Sequence, residues 1–486
     1  MMGNEYVEGN YAPVRTEHTV TELKATGRIP EYLDGRYVRN GPNPIADVDP
    51  DAYHWFMGDG MVHGVRIRDG RAEWYRNRWV RTSRMRMAAG EISRPPNHRA
   101  GVELYGANTN VIRHAGHDLA LVEGGIASYE LDHELDTMGP WDFGGTLPGG
   151  YTAHPKADPV TGELHAVTHY FGQGNRVRYS VIGTDGRARR TVDIQVPGMP
   201  MMHDFSLTEK YVVLYDLPVT FDARQAARIA VPRPLRPLRP AAALVLSALV
   251  GRVRVPDPIA AMVGARMRAN ENLPFRWNPR HQARIGLMPR EGGSSDVRWF
   301  EVEPCYVFHT LNAHDAGDTV VLDVVRHPRM FVKDLHGPNE GTAALHRWTV
   351  HPAAGKVVEA RLDDRPQEFP RVDDRVVGRP HRYGYAMGAL TGAIPTDAVL
   401  KHDLRAGTVT SRALGRGKEA GEFVFVPSRP DAAEDEGVLM GFVYDATTGH
   451  SDLVLLDAAT LETVATVGLP VRVPHGFHGN WLATGS

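Results

Sequence analysis

The chain has 486 residues, a formal net charge of −3, 42% hydrophobic residues and 23% charged residues. This is ample apolar material for a large core, and it leaves no overall basic field of the kind that draws a protein to nucleic acid. Cys305 is the only cysteine, which excludes an intrachain disulfide and a thiolate metal cluster and fits a reducing compartment.

Residues 1–9, Met-Met-Gly-Asn-Glu-Tyr-Val-Glu-Gly, are polar and acidic and carry no apolar signal segment. No run approaches the roughly 18–20 apolar residues of a membrane span, so the expected location is cytoplasmic. Fifty glycines and 35 prolines imply many turns. A first hairpin is predicted at 179–196, with Thr-Asp-Gly in its turn, and a strand at 211–214. An unusual insertion follows at about 217–298. Within it, residues 231–240 read Val-Pro-Arg-Pro-Leu-Arg-Pro-Leu-Arg-Pro, then come the apolar run 241–250, Arg252 and Arg254. That run is too short to cross a bilayer. It suits either a helix lying in a membrane surface, arginines toward phosphates, or a helix capping the protein's own core. Beyond it, strands and hairpins are predicted at 319–325, 346–362, 402–410, 438–444 and 453–467.

Each hairpin is followed by a short loop carrying a residue of chemical interest. These are His154, His203, His309, Glu368, Glu422 and His478, separated by 49, 106, 59, 54 and 56 positions. The step of 106 reads as two repeats, with the insertion inside it. A period of roughly 40–60 residues built from antiparallel strands predicts a β-propeller, an all-β fold that holds residues 1–486 as a single domain. Equivalent positions of successive blades then meet on the axis. Four imidazoles with no carboxylate in direct contact would leave a divalent ion its full charge, and imidazole favours iron, copper, nickel or zinc over magnesium or calcium. Glu123, Glu368 and Glu422 would stand behind, accepting hydrogen bonds from the imidazoles' free N–H groups. The chain has 23 histidines, and His114, His117, His165 and His169 are assigned ordinary structural roles.

The segments around these residues resemble the carotenoid cleavage oxygenase family, which includes apocarotenoid- and stilbene-cleaving enzymes and a retinoid isomerase. The matching stretches run from Gly35-Arg-Tyr-Val-Arg-Asn-Gly-Pro-Asn-Pro and His54-Trp-Phe-Met-Gly-Asp-Gly-Met-Val-His to Gly476-Phe-His-Gly. Between them lie Asn108-Thr-Asn-Val, Thr152-Ala-His-Pro-Lys, Met202-His-Asp-Phe, Phe308-His-Thr-Leu-Asn-Ala, Gln367-Glu-Phe-Pro-Arg and Glu422-Phe-Val-Phe-Val-Pro. The resemblance implies a seven-bladed propeller with a helical and loop dome over its top face. It implies one Fe(II) per chain, held by His154, His203, His309 and His478, with Glu123, Glu368 and Glu422 behind them. By motif, Thr109 crowds an open iron position and Phe308 lines the substrate tunnel. Residues 231–265 of the insertion fall where the family presents an apolar patch to the membrane, so a peripheral association with the membrane's inner face is expected. The third histidine motif departs from the family: its usual second histidine is Thr310, and the acidic residue closing it is Asp315, after His314.

The resemblance implies cleavage of a conjugated C=C bond of a carotenoid or apocarotenoid by dioxygen, giving aldehyde or ketone products. Stilbene cleavage is the alternative and calls for a polar group at the tunnel end, such as one of the seven lysines. A propeller that binds partners without catalysis is the third option and predicts no bound iron.

Overall fold

The protein is described here by a computed structural model covering residues 4–93, 106–147, 149–170, 173–231, 233–249, 273–337, 340–389 and 396–485. Seven antiparallel sheets of four to six strands form the blades of a β-propeller. The predicted strands and hairpins all fall within blade strands. One example is Arg176–Ile182 paired with Ala188–Gln195, and another is Ala344–His351 paired with Lys356–Arg361. Inner strands such as Leu164–His169 are buried on both faces, because each blade is covered by its two neighbours. Outer strands such as Lys356–Arg361 are half-exposed and carry the charged residues.

The ring closes twice. The C-terminal strand Gly479–Ala483 pairs with Gly35–Pro42 as the innermost strand of a blade otherwise built from residues 18–79. Near the N-terminus, Lys24–Gly27 pairs with Thr463–Gly468 at the outer edge of the last blade. Both chain ends are thereby held by main-chain hydrogen bonds, which removes the open edges that a broken ring would present. The core lies between blades. In one cluster Tyr215, Ile285 and Phe300 of one blade meet Tyr306, Leu322 and Trp348 of the next; in another Tyr37 and Tyr75 meet Phe442 and Leu453.

The spacing of 106 has a different origin from the one expected. The strand Tyr211–Asp216 pairs directly with Arg284–Pro289, so His203 and His309 are one blade apart and the extra length is an excursion within that blade. The excursion spans 217–283, and residues 284–298 belong largely to the sheet. In it, Val219–Phe221 pairs with Phe275–Trp277. The helix Ala223–Ala230 starts where the Asp222 side chain accepts the Gln225 N–H at 2.6 Å. The helix Arg239–Leu249 follows, with Pro240 in its first turn, where a missing N–H costs nothing. It presents Leu244 and Val245 to solvent, 71% and 54% exposed. Arg252, Arg254 and the rest of the expected patch, 250–265, lie outside the described residues. No helix among the described residues is long and apolar enough to cross a membrane.

Candidate metal centre

The innermost strands carry the site, one residue from each blade. His478 immediately precedes Gly479–Ala483, and Thr109 immediately precedes Asn110–His114. His154 lies just before Lys156–Ala157, and His203 just before Ser206–Leu207. His309 lies early in Tyr306–Ala316, Glu368 early in Gln367–Arg371, and Glu422 just before Val424–Pro427. Thr109 therefore occupies the blade position that the sequence period left without a residue. Glu123 is the exception, since it follows His117–Leu121, the second strand of Thr109's blade.

Two local irregularities aim the side chains. The pairing of Tyr306–Ala316 with Thr319–His327 shifts register between Val307 and Thr310, a bulge of the kind that redirects side chains. Phe369 follows Glu368 with φ 52°, a left-handed conformation uncommon for an aromatic residue. Its N–H is held by Glu368 Oε2 at 2.6 Å, and its ring stacks on His309 with centroids 5.4 Å apart.

The imidazoles converge. His154, His203 and His309 each bring one nitrogen to within 4.8 Å of the others, a group able to hold a metal ion. His203 Nε2 and His309 Nε2 are 3.3 Å apart, close to the ~3 Å expected of neighbouring ligands at metal–nitrogen distances of about 2.1 Å. The His478 ring lies 4.7 Å from that of His154 and 4.8 Å from that of His309. His309 Nδ1 donates to Glu368 Oε2 at 2.6 Å, and His478 Nδ1 donates to Glu422 Oε1 at 3.0 Å. Each leaves Nε2 for the axis, as a histidine ligand requires. His203 Nδ1 lies 2.5 Å from Glu123 Oε1, which also meets His154 Nε2 at 3.2 Å. One carboxylate thus faces two imidazoles.

Electrostatics favour the neutral, ligating form of most of these rings. Burial, and then the neighbouring histidines, hold His154 and His203 well below the usual imidazole range. Burial also lowers His478. At His309 burial opposes the charge, but the adjacent Glu368 outweighs it and raises the ring. Burial would raise Glu368, yet His309 and His327 pull it far below the carboxylate range. At Glu422 burial is likewise outweighed, by Arg371 and His478, to about 2. Burial pushes Glu123 up to about 7, a cost that a nearby cation would offset. The donor set fits a divalent transition metal: imidazole nitrogens converge with spacing suited to neighbouring ligands, and negative charge stands immediately behind them.

Above the imidazoles lies a cavity walled by Trp55, Phe56, Phe275, Phe308 and Phe477. Thr109 and Phe308, the two expected pocket residues, both line it. Along the innermost strands a polar channel continues past Asn110, Lys156, Asn312, Arg371 and Asn480, sharing His309 and His478 with the cavity. Where the motif departs from the family, the Thr310 N–H and hydroxyl donate to Asp204 Oδ2, beside His203, and Asp315 Oδ2 accepts the Lys210 N–H; neither side chain hydrogen-bonds a candidate ligand.

Three residues escaped the sequence. His327 donates from Nε2 to Glu368 Oε1 at 2.6 Å, so Glu368 joins two imidazoles. It could have been found by counting register, since His327 pairs with Tyr306 across the hairpin. Phe369 had a signal only in its place after Glu368. His169, assigned a structural role, lines the cavity.

The chain matches the family model described as RPE65, retinal pigment epithelial membrane protein, over residues 11–483. It is 56% identical to a carotenoid cleavage oxygenase of Mycobacterium tuberculosis, covering 99% of this chain and 98% of that one. It is 32% identical to a carotenoid 9,10(9',10')-cleavage dioxygenase of Arabidopsis thaliana, covering 97% and 89%. Among solved structures, the Pseudomonas brassicacearum lignostilbene dioxygenase superposes with a TM-score of 0.81 at 26% identity, covering 99% of each chain. A cobalt-substituted Synechocystis ACO superposes with a TM-score of 0.78 at 28% identity, covering 97% of each.

Proposed function

Because this chain belongs to the carotenoid cleavage oxygenase family, the family of the RPE65 protein, we propose that it is a non-haem Fe(II) dioxygenase that cleaves a conjugated C=C bond of a carotenoid or apocarotenoid. The observation that carries this is the convergence of imidazoles from four blades at the floor of an aromatic cavity. In this proposal one iron is held by His154, His203, His309 and His478, while Glu123, Glu368 and Glu422 orient the ligands and offset the charge. Bound iron supplies the redox chemistry by which dioxygen is inserted and two carbonyl products form.

The chain's own residues do the rest. A polyene offers no charge to grip, so position comes from shape and from aromatic contact. Phe308 meets Phe56 edge-on at 5.9 Å, and Phe56 meets Phe477 edge-on at 5.5 Å, forming a wall that excludes water from the bond to be cleaved. The Thr109 hydroxyl is committed to Asn108 Oδ1 at 2.9 Å, and its carbonyl accepts the His478 N–H at 3.0 Å. Its methyl is then the part that restricts space above the imidazoles. Among the described residues no lysine lines the cavity, which favours a carotenoid over a phenolic stilbene held by a lysine.

Purified protein is expected to hold close to one iron per chain. On aerobic incubation it is expected to convert β-carotene or a shorter apocarotenal, rather than a hydroxystilbene, into carbonyl products whose masses locate the cleaved bond. Less than about a tenth of an iron per chain after anaerobic reconstitution would instead identify a propeller that only binds partners.

The helix Arg239–Leu249 is proposed to dip into the membrane surface, delivering an insoluble substrate to the cavity. Its exposed Leu244 and Val245 carry that proposal. Replacing Leu244 with aspartate is expected to weaken co-sedimentation with anionic phospholipid vesicles by about tenfold or more, from the lost burial of one leucine. Unchanged vesicle binding would return the helix to a capping role.

A further inference from the structure

His169 ends the strand Leu164–His169 and is only 9% exposed. Its Nδ1 lies 2.9 Å from the Met202 carbonyl oxygen. A carbonyl can only accept, so Nδ1 carries the hydrogen. Burial, its largest influence, lowers the ring below the ordinary imidazole range, against the pull of Glu123, which favours the neutral form. Nε2 is then a bare lone pair, an acceptor and nothing else. It has no protein partner among the described residues, and the ring lines the apolar cavity.

Most of the other polar side chains around this cavity are already engaged. Thr109 donates to Asn108, His327 to Glu368 and Gln367 Nε2 to Asp363, while Gln367 Oε1 bonds His402 and His475 bonds Glu419. The Tyr6 hydroxyl bonds Glu5, and those of Tyr11 and Thr396 can donate as well as accept. An acceptor that opens into an apolar cavity is costly to leave unmatched once a ligand displaces water from it, and a site built around one discriminates against ligands that lack the donor.

We propose that His169 accepts a hydrogen bond from a hydroxyl group of the substrate, so that the cavity selects a hydroxylated conjugated compound over the same compound without the hydroxyl. This specificity role rests on the oxygenase function proposed above, and it names what distinguishes one polyene from another in this cavity.

The test uses the iron-loaded protein and two matched pairs: an apocarotenal with and without a ring hydroxyl, and hydroxystilbene with stilbene. Binding is read anaerobically from quenching of tryptophan fluorescence, since Trp55 lines the cavity, and turnover is read separately. In at least one pair the hydroxylated member is expected to bind about tenfold or more tightly. In His169→Phe, which keeps a ring and removes the acceptor, that preference should vanish. The change should fall on KM rather than kcat, with iron content unchanged. His169→Gln, whose carbonyl can accept, should restore part of the preference; His169→Leu, which also lacks an acceptor, serves as the test variant if His169→Phe does not fold. Equal binding within both pairs, or a preference that survives in His169→Phe, overturns the proposal. A binding preference without any cleavage would retain His169's role and reject the oxygenase reading.

Discussion

Replacing His309 with alanine is expected to leave the purified protein with less than about a tenth of the wild-type iron and to lower turnover at least about a thousandfold. His309 is the most connected of the four imidazoles. Its Nε2 lies 3.3 Å from that of His203, its Nδ1 donates to Glu368, and its ring stacks on Phe369. Truncation removes one donor to the metal and also the reason for Glu368 to face the axis. The fold should survive, because His309 contributes its main chain to a long strand whose neighbours are unchanged. The check is metal analysis after anaerobic reconstitution, with thermal unfolding of the same sample. A folded His309→Ala protein that retains near-stoichiometric iron would remove this histidine from the ligand set.

The sequence made the axis legible because blade geometry turns a linear period into a spatial coincidence. His154, His203, His309 and His478 all lie at or just before innermost strands, and so do Glu368 and Glu422. What a period cannot convey is any contact made out of phase with it. Glu123 comes from a second strand, and only its motif identified it. His327 reaches Glu368 through hairpin register, eighteen residues beyond His309 in the chain. His169 looked like any buried histidine, because its role depends on which nitrogen is already bonded. The misread step of 106 has a similar cause, since an excursion inside one blade has the length of a blade. Thr109 shows the converse. It holds the seventh axial position, yet a threonine in a list of imidazoles and carboxylates carries no chemical signal of its own.

The second large effect should come from Glu368→Ala. Glu368 is 8% exposed and uses both oxygens. Oε2 accepts from His309 Nδ1 and from the Phe369 N–H, and Oε1 accepts from His327 Nε2, each at 2.6 Å. Alanine leaves three buried donors without an acceptor, each worth about 1–3 kcal/mol and not additive. A destabilisation of about 3–5 kcal/mol is therefore expected, together with iron retention weaker by up to about a hundredfold. Glu422→Ala should cost less, nearer tenfold in iron retention. The difference follows from what each carboxylate ties down: Glu422 holds one imidazole, His478, with the Gly479 N–H and Arg371, whereas Glu368 holds two imidazoles and the strained Phe369. Chelator competition would rank the two variants. Thermal unfolding with and without iron would separate a lost ligand orientation from a weakened fold, because a protein that still binds iron gains stability from it. If Glu368→Ala melts early but keeps the wild-type gap between iron-loaded and chelated forms, the carboxylate supports the propeller and not the metal.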